Sequence, residues 1–454
     1  MKHTKKVLFK SRPWLVLMLL GGMFSSCTRD SLSVTDKYST TSKSNWPTVI
    51  RPTITSTKAF NIKDYGALSS SKDNTKQIQA ALDDCANNGG GKVVVPADTF
   101  LCGPVVMGSN TNLYLSKGAV LEILPYGQGN GIDANSYPNT GTQNVYDNFI
   151  SCKSNASNLM ISGTGTIYGN GAAWWKAFDS LTAAGVSMKR GCLIRFMNCK
   201  YIEIDSITLK DAPGSHITIG MHGNASDATI KNITINTKVP SHNTDGIDTW
   251  GPNINIENCC ISDGDDNVAI DQGSQYISIK RCTFGYGHGT SVGSYTTGIC
   301  HVLVDSCSYT GTDNGIRLKS DVDRGSGEHD FTFSNLTMKD VKNPVYIDSY
   351  YTGKPSTPQL AEANETAITP TTPEFRDVLI KNVTSTGTTA NNSLYIYGRP
   401  EQHVKHLVFD NVNILASKGM IIDFADSVIF KNNCKIKATS GNDTIQIYKS
   451  TLFY

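Results

Sequence analysis

Charged residues are scarce in this chain, and their signs nearly balance. Only 18% of the 454 residues are Asp, Glu, Lys or Arg, and the formal net charge is +2. No basic run occurs after the first dozen positions. Proteins that bind nucleic acid carry a basic stripe or patch that contacts the phosphates, so the composition argues against a nucleic-acid partner.

Long helical patterns between strands are missing as well. Short alternating segments rich in Val, Ile and Thr predict strands, and Gly, Asn, Asp and Ser mark the turns between them. A doubly wound fold needs amphipathic runs of about 10 to 15 residues between its strands. Their absence excludes that fold and leaves an all-β architecture.

One helix is predicted ahead of the strands. Asp73-Asn74-Thr75 offers a cap, and the breakers begin at Asn87. Four apolar residues between them have helical spacing: Ile78, Ala81, Leu82 and Cys85. We expect this helix to cover the open end of a stacked repeat.

The strands repeat with a regular period. Eight segments share the order apolar, two polar, apolar, polar, apolar, and they begin at Ile204, Ile230, Ile256, Ile279, Val304, Phe333, Ile380 and Phe409. Their offsets are 23 to 29 residues, except for 47 residues between Phe333 and Ile380, which we interpret as two turns. Self-similarity of this kind is typical of solenoids. We therefore predict one parallel β-helix domain over residues 59–454, with coils about 4.8 Å apart.

The N-terminus has the pattern of an export signal. Lys and Arg residues precede an apolar run from Trp14 to Met23, which is too short to span a bilayer. Small residues directly before Cys27 resemble a bacterial lipoprotein signal over residues 1–27; ordinary cleavage is the alternative. Residues 28–58, rich in Ser and Thr, are predicted to be a flexible linker. We expect a monomer that contacts the membrane only through a lipid at Cys27, at the bacterial outer membrane.

The twelve cysteines show no Cys-x-x-Cys spacing that would indicate a metal site. Cys259, Cys282 and Cys307 occupy a slot that apolar residues fill in other coils, which predicts stacked core side chains. Disulfides elsewhere, involving Cys85 and Cys102 for instance, stay open.

Four polar patches recur at nearly the same period and precede or lie within the same strand of each coil. They are Asn243-Thr244-Asp245-Gly246, Gly264-Asp265-Asp266-Asn267, Gly287-His288-Gly289 and Arg317-Leu318-Lys319. Patches in one phase of a solenoid lie on one face. Any single patch is also what turn chemistry produces, since Asp, Asn and Gly form turns and Asn ladders stabilise coils.

The chemistry of the patches indicates glycosidic bond cleavage. Three carboxylates on adjacent coils repel one another, which raises at least one pKa and pairs a protonated acid with an ionised base. That pair cleaves glycosidic bonds, either through a water or by direct attack. Arg317 and Lys319 suit an acidic sugar, and the glycine-flanked His288 is suited to tuning the acid or binding hydroxyls.

Together these motifs resemble glycoside hydrolase family 28, the polygalacturonases. The resemblance extends from Asp64-Tyr65-Gly66-Ala67 through residues 243–351 and weakens afterwards. It implies a single-stranded right-handed parallel β-helix that hydrolyses α-1,4-linked galacturonan in pectin with inversion, without a metal or organic cofactor.

The resemblance also implies roles for individual residues. Asp265 matches the general acid, and Asp245 and Asp266 match the pair that holds and activates water. His288 supports the acid, while Arg317 and Lys319 hold the substrate carboxylate; Asn243, in the first patch, joins the substrate-binding set. Tyr351 matches a tyrosine that lines the sugar site, and the adjacent Tyr350 is a rival.

Some alternatives remain open at this point. Asp271 stands where bacterial members often have Lys, and if it faces the groove it disfavours plain homogalacturonan, which keeps rhamnogalacturonan and xylogalacturonan hydrolases in view. His288 argues against the rhamnogalacturonan enzymes. A Ca²⁺-dependent pectate lyase and a non-catalytic glycan-binding β-helix are further alternatives. Trp174, Trp175 and Trp250 could stack on sugar rings or pack at the rim.

Overall fold

A computed structural model of the chain describes residues 45–127, 136–221, 224–387, 391–438 and 445–454. The predicted signal at residues 1–27, its Cys27 and the first part of the linker lie outside the described residues. No described helix is both long enough and apolar enough to cross a bilayer.

The chain consists almost entirely of short strands. Three α-helices, α1 to α3, span Thr75–Asn87, Ala172–Ala183 and Pro358–Ala363, and a 3-10 helix spans Ile62–Tyr65. The strands in chain order are β1 Ala59–Asn61, β2 Gly91–Val95, β3 Asp98–Cys102, β4 Val105–Met107, β5 Thr111–Leu115, β6 Ala119–Ile123, β7 Ile150–Cys152, β8 Ser157–Gly163, β9 Thr166–Tyr168, β10 Ile194–Phe196, β11 Cys199–Asp205, β12 Thr208–Lys210, β13 Ile217–Ile219, β14 Ala225–Lys231, β15 Thr234–Asn236, β16 Ile247–Thr249, β17 Ile254–Glu257, β18 Cys260–Ser262, β19 Val268–Ile270, β20 Gln275–Lys280, β21 Thr283–Phe284, β22 Thr290–Val292, β23 Cys300–Asp305, β24 Ser308–Thr310, β25 Asn314–Lys319, β26 His329–Lys339, β27 Asn343–Asp348, β28 Arg376–Thr386, β29 Tyr395–Tyr397, β30 Val404–Ala416, β31 Ile421–Asp423, β32 Ala425–Lys431, β33 Lys435–Ala438, β34 Gln446–Tyr448 and β35 Leu452–Phe453.

These strands form a coil in which each complete turn adds one strand to one sheet and one long or two short strands to the other. Among the described residues, 23 strands make one sheet, here called sheet A, and 12 make a second, sheet B, which runs from β4 to β34. All pairings between named strands are parallel, for example β16 with β19 and β19 with β22. Parallel crossovers are right-handed almost without exception. The predicted all-β right-handed parallel β-helix is confirmed.

The predicted repeat is visible in the strand register of sheet A. Ile204 pairs with Ile230, Ile230 with Ile256 and Ile256 with Ile279, and the ladder continues without a break to Phe409. The interpretation of the 47-residue interval was wrong. Phe333 pairs directly with Ile380, so the interval is one coil, and its extra length lies in a segment between β27 and β28 that contains α3.

Three cysteines lie in this stack as predicted. Cys259, Cys282 and Cys307 are buried, and the Cys282 amide donates to Cys307 Sγ at 3.4 Å. All eleven described cysteines are free thiols, so the disulfide left open for Cys85 and Cys102 is not formed. Both thiols are buried core groups instead.

The predicted helix at the N-terminal end is present as α1. Its four predicted apolar residues are fully buried, and it packs against β1, β2 and β4. Within the predicted cap Asp73-Asn74-Thr75, the capping hydrogen bond is made by Asp73. Asp73 Oδ1 accepts from the Thr75 amide, whereas Asn74 is buried and donates to the Leu101 carbonyl.

The sequence reading missed α2 and misjudged residues 45–58. Arg51 donates through two nitrogens to the carboxylate of Glu203, and the Ile50 amide donates to Asp227. This stretch therefore lies bound along sheet A, so the prediction of a flexible linker does not describe it. Helix α2 lies in a loop whose Trp174 and Trp175 are buried.

Candidate active site

The four polar patches meet on sheet B. Asp248, Ala269, Ser291 and Arg317 are register partners on β16, β19, β22 and β25. Asp245, Asp266 and His288 each lie two residues before the first residue of their strand. Side chains from four successive coils therefore lie over one another on one outer face, as the spacing predicts.

Asp266 is the most strongly held carboxylate of the site. Its Oδ1 accepts from Ser291 Oγ at 2.6 Å and from Arg317 at 3.1 Å, and its Oδ2 accepts from Lys319 Nζ at 2.7 Å. Burial by itself raises the pKa of this carboxyl, but the charge of Lys319, the contact with His288 and the charge of Arg317 outweigh burial. The pKa of Asp266 is held far below its usual range, so the group is ionised.

The two predicted cations lie directly beside this carboxylate. Lys319 is almost fully buried, and although burial opposes its charge, the neighbouring Asp266 raises its pKa. Among the described residues, Arg317 Nε has no hydrogen-bond partner. That nitrogen is itself buried, but 17% of the Arg317 side chain is exposed, so the residue can meet a ligand while it holds Asp266.

Asp265 and His288 form the second contact of the site. Nδ1 of His288 lies 3.0 Å from Asp265 Oδ1 and 3.6 Å from Asp266 Oδ1, although the angles do not meet hydrogen-bond geometry. Burial alone lowers the pKa of His288, but the two carboxylates reverse this effect and raise it to about 9. His288 is therefore a cation at neutral pH. Asn243 Nδ2 donates to the other oxygen of Asp265 at 3.0 Å.

Asp245 lies on the coil before these residues and lines a cavity of about 590 Å³. Burial, together with the nearby charges of Asp248 and Asp265, raises its pKa well above the usual value. Its backbone carbonyl is 3.0 Å from the ring Nδ1 of the buried His216 and also accepts from the His216 amide. A carboxyl that favours its neutral form, Asp245, therefore lies on the coil before the ionised Asp266.

The cavity contains a second acidic pair. Burial and the charges of Asp266 and Asp265 raise the pKa of Asp248 to about 7, against the effect of its hydrogen bond from Thr218 at 3.1 Å. Asp271 also lines the cavity, and burial and Asp248 raise its pKa well above normal. Asp271, which stands where bacterial members often have Lys, thus faces the groove. Its carboxyl favours the neutral form.

Several site residues escaped the sequence reading. Arg190 lines the cavity with its guanidinium carbon 3.8 Å from the Phe178 ring centroid, and burial lowers its pKa to about 10. Asp313 Oδ2 lies 3.5 Å from Nε2 of His288 and is ion-paired with Lys342. These residues lie in loops outside the four motifs. Asp248 could have been found, because it is the register partner of Ala269 in the next strand.

Turn chemistry explains other members of the same patches. Asp263 and Asn267 are buried; Asn267 donates to Asp263 and accepts from the Gly289 amide. A Cβ on Gly287 would lie 2.4 Å from Asn267 Nδ2, so this glycine admits the neighbouring coil rather than a ligand. The Asn ladder lies elsewhere, on sheet A, where Asn411 donates to Asn382 and Asn382 to Asn335.

Of the two adjacent tyrosines that could line the sugar site, Tyr351 is the one exposed beside it. Tyr351 is 44% exposed, and Lys319 Nζ lies 5.3 Å from its ring centroid. Tyr350 is buried and packs under Arg399, whose guanidinium carbon is 4.1 Å from the ring centroid. Only Tyr351 faces the site.

Two of the three tryptophans are packing residues. Trp174 is fully buried against tyrosines of neighbouring loops, and Trp175 Nε1 donates to the Ala212 carbonyl. Trp250 differs, because it lines the cavity and lies 6.2 Å from the exposed Tyr295 ring.

The cluster of Asp265, Asp266 and His288 has donor atoms close enough together for a metal ion. Its electrostatics do not suit one. Lys319 and Arg317 already occupy the oxygens of Asp266, and His288 is protonated. A divalent cation here would be repelled by three neighbouring cations, so the geometry gives no support to a Ca²⁺-dependent lyase.

Carboxylates and cations thus lie together in one trough on a parallel β-helix, an arrangement suited to acid and base catalysis on an acidic sugar. The model of glycosyl hydrolases family 28 matches residues 85–434, and the chain belongs to that family. It is a glycoside hydrolase, as the sequence predicts.

The relatives found include bacterial and plant enzymes. The chain is 31% identical over 337 residues to an endo-polygalacturonase of Pectobacterium carotovorum subsp. carotovorum, covering 68% of this chain and 77% of the relative. It is 27% identical over 387 residues to an exopolygalacturonase of Arabidopsis thaliana, covering 82% and 80%.

Solved structures share the fold. A polygalacturonase from Erwinia carotovora matches with a TM-score of 0.67 at 27% identity, covering 86% of this chain and 99% of that one. A hyperthermoactive exopolygalacturonase from Thermotoga maritima matches with a TM-score of 0.69 at 20% identity, covering 88% and 94%.

Proposed function

We propose that this protein is a polygalacturonase, which hydrolyses α-1,4-galacturonosidic bonds in pectin with inversion. The observation that carries the proposal is the set of cations around Asp266. Arg317 and Lys319 are positioned to bind an acidic sugar beside an ionised carboxylate, and two further carboxyl groups lie within the same trough. The two named relatives above support the substrate class.

In this mechanism Asp265 is the general acid. Asn243 and His288 contact its two oxygens and fix the orientation of its carboxyl. It gives its proton to the leaving glycosidic oxygen. Asp266 accepts a proton from the attacking water, and Asp245 holds that water from the adjacent coil.

The substrate carboxylate activates the base. In the free protein Lys319 and Arg317 hold the pKa of Asp266 so low that it is a poor proton acceptor. A galacturonate carboxylate that binds beside Arg317 and Lys319 offsets their charge at Asp266 and raises its pKa. Bond cleavage is thereby coupled to recognition of an acidic sugar. Tyr351 lies beside Lys319 and is placed to contact the same ring.

A second pectic substrate is favoured by one observation. Asp271 lines the cavity where a cation would otherwise attract a further galacturonate. Its raised pKa makes it a hydrogen-bond donor to a neutral or esterified sugar at acidic pH. A xylogalacturonan or other decorated chain is therefore the alternative substrate.

Product analysis tests the proposal. The purified protein is incubated with polygalacturonate, and reducing ends, product anomers by NMR and ultraviolet absorbance are followed. We expect new reducing ends, inverted anomers and no unsaturated product. Unsaturated products that disappear with a chelator would instead identify a lyase, and binding without turnover on homogalacturonan and decorated fractions would identify a glycan-binding protein.

We also propose that the protein is exported and anchored as a monomer through a lipid on Cys27 at the bacterial outer membrane. The basic and apolar N-terminal pattern supports this location. Metabolic labelling with a fatty acid should modify the wild type and leave Cys27→Ser unlabelled. Equal labelling of both would reject the anchor.

A further inference from the structure

Sheet A contains a cluster of metal-binding side chains that the catalytic groove does not use. Cys300, His301 and His329 each have a ligand atom within 4.8 Å of the other two. Cys300 and His301 lie on β23 and His329 on β26, whereas the catalytic side chains project from the strands and turns of sheet B. We propose that these three residues bind a zinc ion.

Strand register brings the ligands together. Cys300 and His329 are register partners on adjacent parallel strands, so their side chains lie about 4.8 Å apart along the coil axis. His301 follows Cys300 with a left-handed φ of 57°, which turns the chain at this corner. Tyr276 on the preceding coil has the same conformation, so the corner itself is general, and only the Cys-His-His set is particular to this place.

Both histidines have one ring nitrogen already occupied. Nδ1 of His301 lies 2.5 Å from Asp330 Oδ2, and Nδ1 of His329 lies 2.9 Å from the Gly327 carbonyl oxygen. A carboxylate or carbonyl on one nitrogen fixes the tautomer in which the other nitrogen is the free electron-pair donor. Nε2 of each ring is therefore the atom offered to the metal.

The donor set selects the metal by its chemistry. One thiolate and two imidazoles suit zinc, with Zn–S bonds of about 2.3 Å and Zn–N bonds of about 2.0 to 2.1 Å. Side-chain rotations that move the donor atoms by about an ångström bring the three within those lengths. Cys300 is buried, and the Tyr276 ring stacks on His301 with centroids 4.7 Å apart, which shields the site. A water completes the coordination.

The bound ion would fasten β23 to β26. Trp46, in the stretch that lies along sheet A, has its ring centroid 6.3 Å from His301, so the same ion would also order the N-terminal segment. The site is structural, and its occupancy is measured without reference to catalysis.

Metal binding to the mature protein tests the proposal. After removal of metal with a chelator, zinc is titrated, and stoichiometry is measured by equilibrium dialysis with elemental analysis. Co²⁺ is then used as a spectroscopic probe, because a thiolate ligand gives a charge-transfer band. We expect one zinc per chain, the cobalt band and a raised melting temperature.

Variants separate this site from incidental binding. Cys300→Ser should abolish the cobalt band, and His329→Asn should weaken zinc binding at least tenfold, while Asp330→Asn should weaken it about 10- to 100-fold by releasing His301. Cys260→Ser, which removes an exposed cysteine of sheet A, should bind as the wild type does. Circular dichroism identifies any of the three ligand-site variants that fails to fold. The remaining two then test whether zinc binds at this site. Unchanged zinc affinity in Cys300→Ser and His329→Asn, or no zinc on the wild type, would overturn the proposal and leave His301 and Asp330 as an ion pair of the coil.

Discussion

Lys319 Nζ and Asp266 Oδ2 lie 2.7 Å apart, although 53 residues separate them in the sequence. The coil brings them together, because β19 and β25 are two strands apart in the same sheet. Both side chains are nearly fully buried. This ion pair links the stability of the coil to the charge state of the proposed base.

Breaking this pair should destabilise the protein. Lys319→Met leaves Asp266 buried without its nearest cation, which typically costs about 3–5 kcal/mol. The low pKa of Asp266 means that its stabilising effect is present above about pH 4 and is lost as pH falls towards its folded value. Urea unfolding at pH 7 and pH 3 should show a larger difference between wild type and variant at pH 7. An equal difference at both pH values would contradict the pairing.

His288 should contribute stability with the opposite pH dependence. Its folded pKa is about 9, above the ordinary value near 6.5, so its charge stabilises the fold below about pH 6.5 and the effect is lost as pH rises through about 9. His288→Gln should therefore lower the melting temperature most at pH 6 and little at pH 10. A deficit that grows with pH would show that His288 is neutral beside Asp265 and Asp266.

The two adjacent tyrosines should behave differently. Tyr351→Ala should raise KM for oligogalacturonate with little change in melting temperature, because the ring is 44% exposed beside Lys319. Tyr350→Ala is the matched control, and loss of its buried ring should cost about 3–5 kcal/mol of stability. Kinetics and thermal melts of both variants give the comparison. If KM rose only in Tyr350→Ala, the sugar contact would belong to Tyr350, and our assignment of Tyr351 would be wrong.

Asp271 should act as a neutral group at acidic pH. Because burial and Asp248 raise its pKa, Asp271→Asn mimics the protonated form and should change KM little at pH 5. As pH rises, the wild-type carboxyl ionises and repels an acidic sugar, so KM of the wild type should rise relative to that of the variant. A KM ratio that stays constant over the whole pH range of activity would mean that Asp271 does not ionise beside the substrate.

The sequence predicts the coil well because its apolar slots recur, and the pairings from Ile204 to Phe409 follow them. It fails where extra residues leave the coil, since composition does not distinguish the segment before Ile380 from another turn. Site residues that lie in such inserted loops and turns are equally hard to predict. Arg190 reaches the cavity from a loop next to α2, and Asp313 reaches His288 from a turn outside the repeated motifs.

The protonation states could not be read from the sequence either. Repulsion among Asp245, Asp265 and Asp266 predicts that one pKa rises but not which one. Depth of burial and the positions of Lys319 and Arg317 decide that Asp245 holds the proton and Asp266 the charge. These depend on contacts across two coils.

The most direct measurement is the rate of reducing-end release from polygalacturonate by Asp265→Asn. The substituted amide keeps the shape of the side chain but cannot donate the acid proton, so the rate should fall by at least about 10²-fold while circular dichroism stays unchanged. Asp305→Asn, which removes a carboxylate of sheet A that is hydrogen bonded to Ser334, should keep wild-type activity. Full activity in Asp265→Asn would contradict the account.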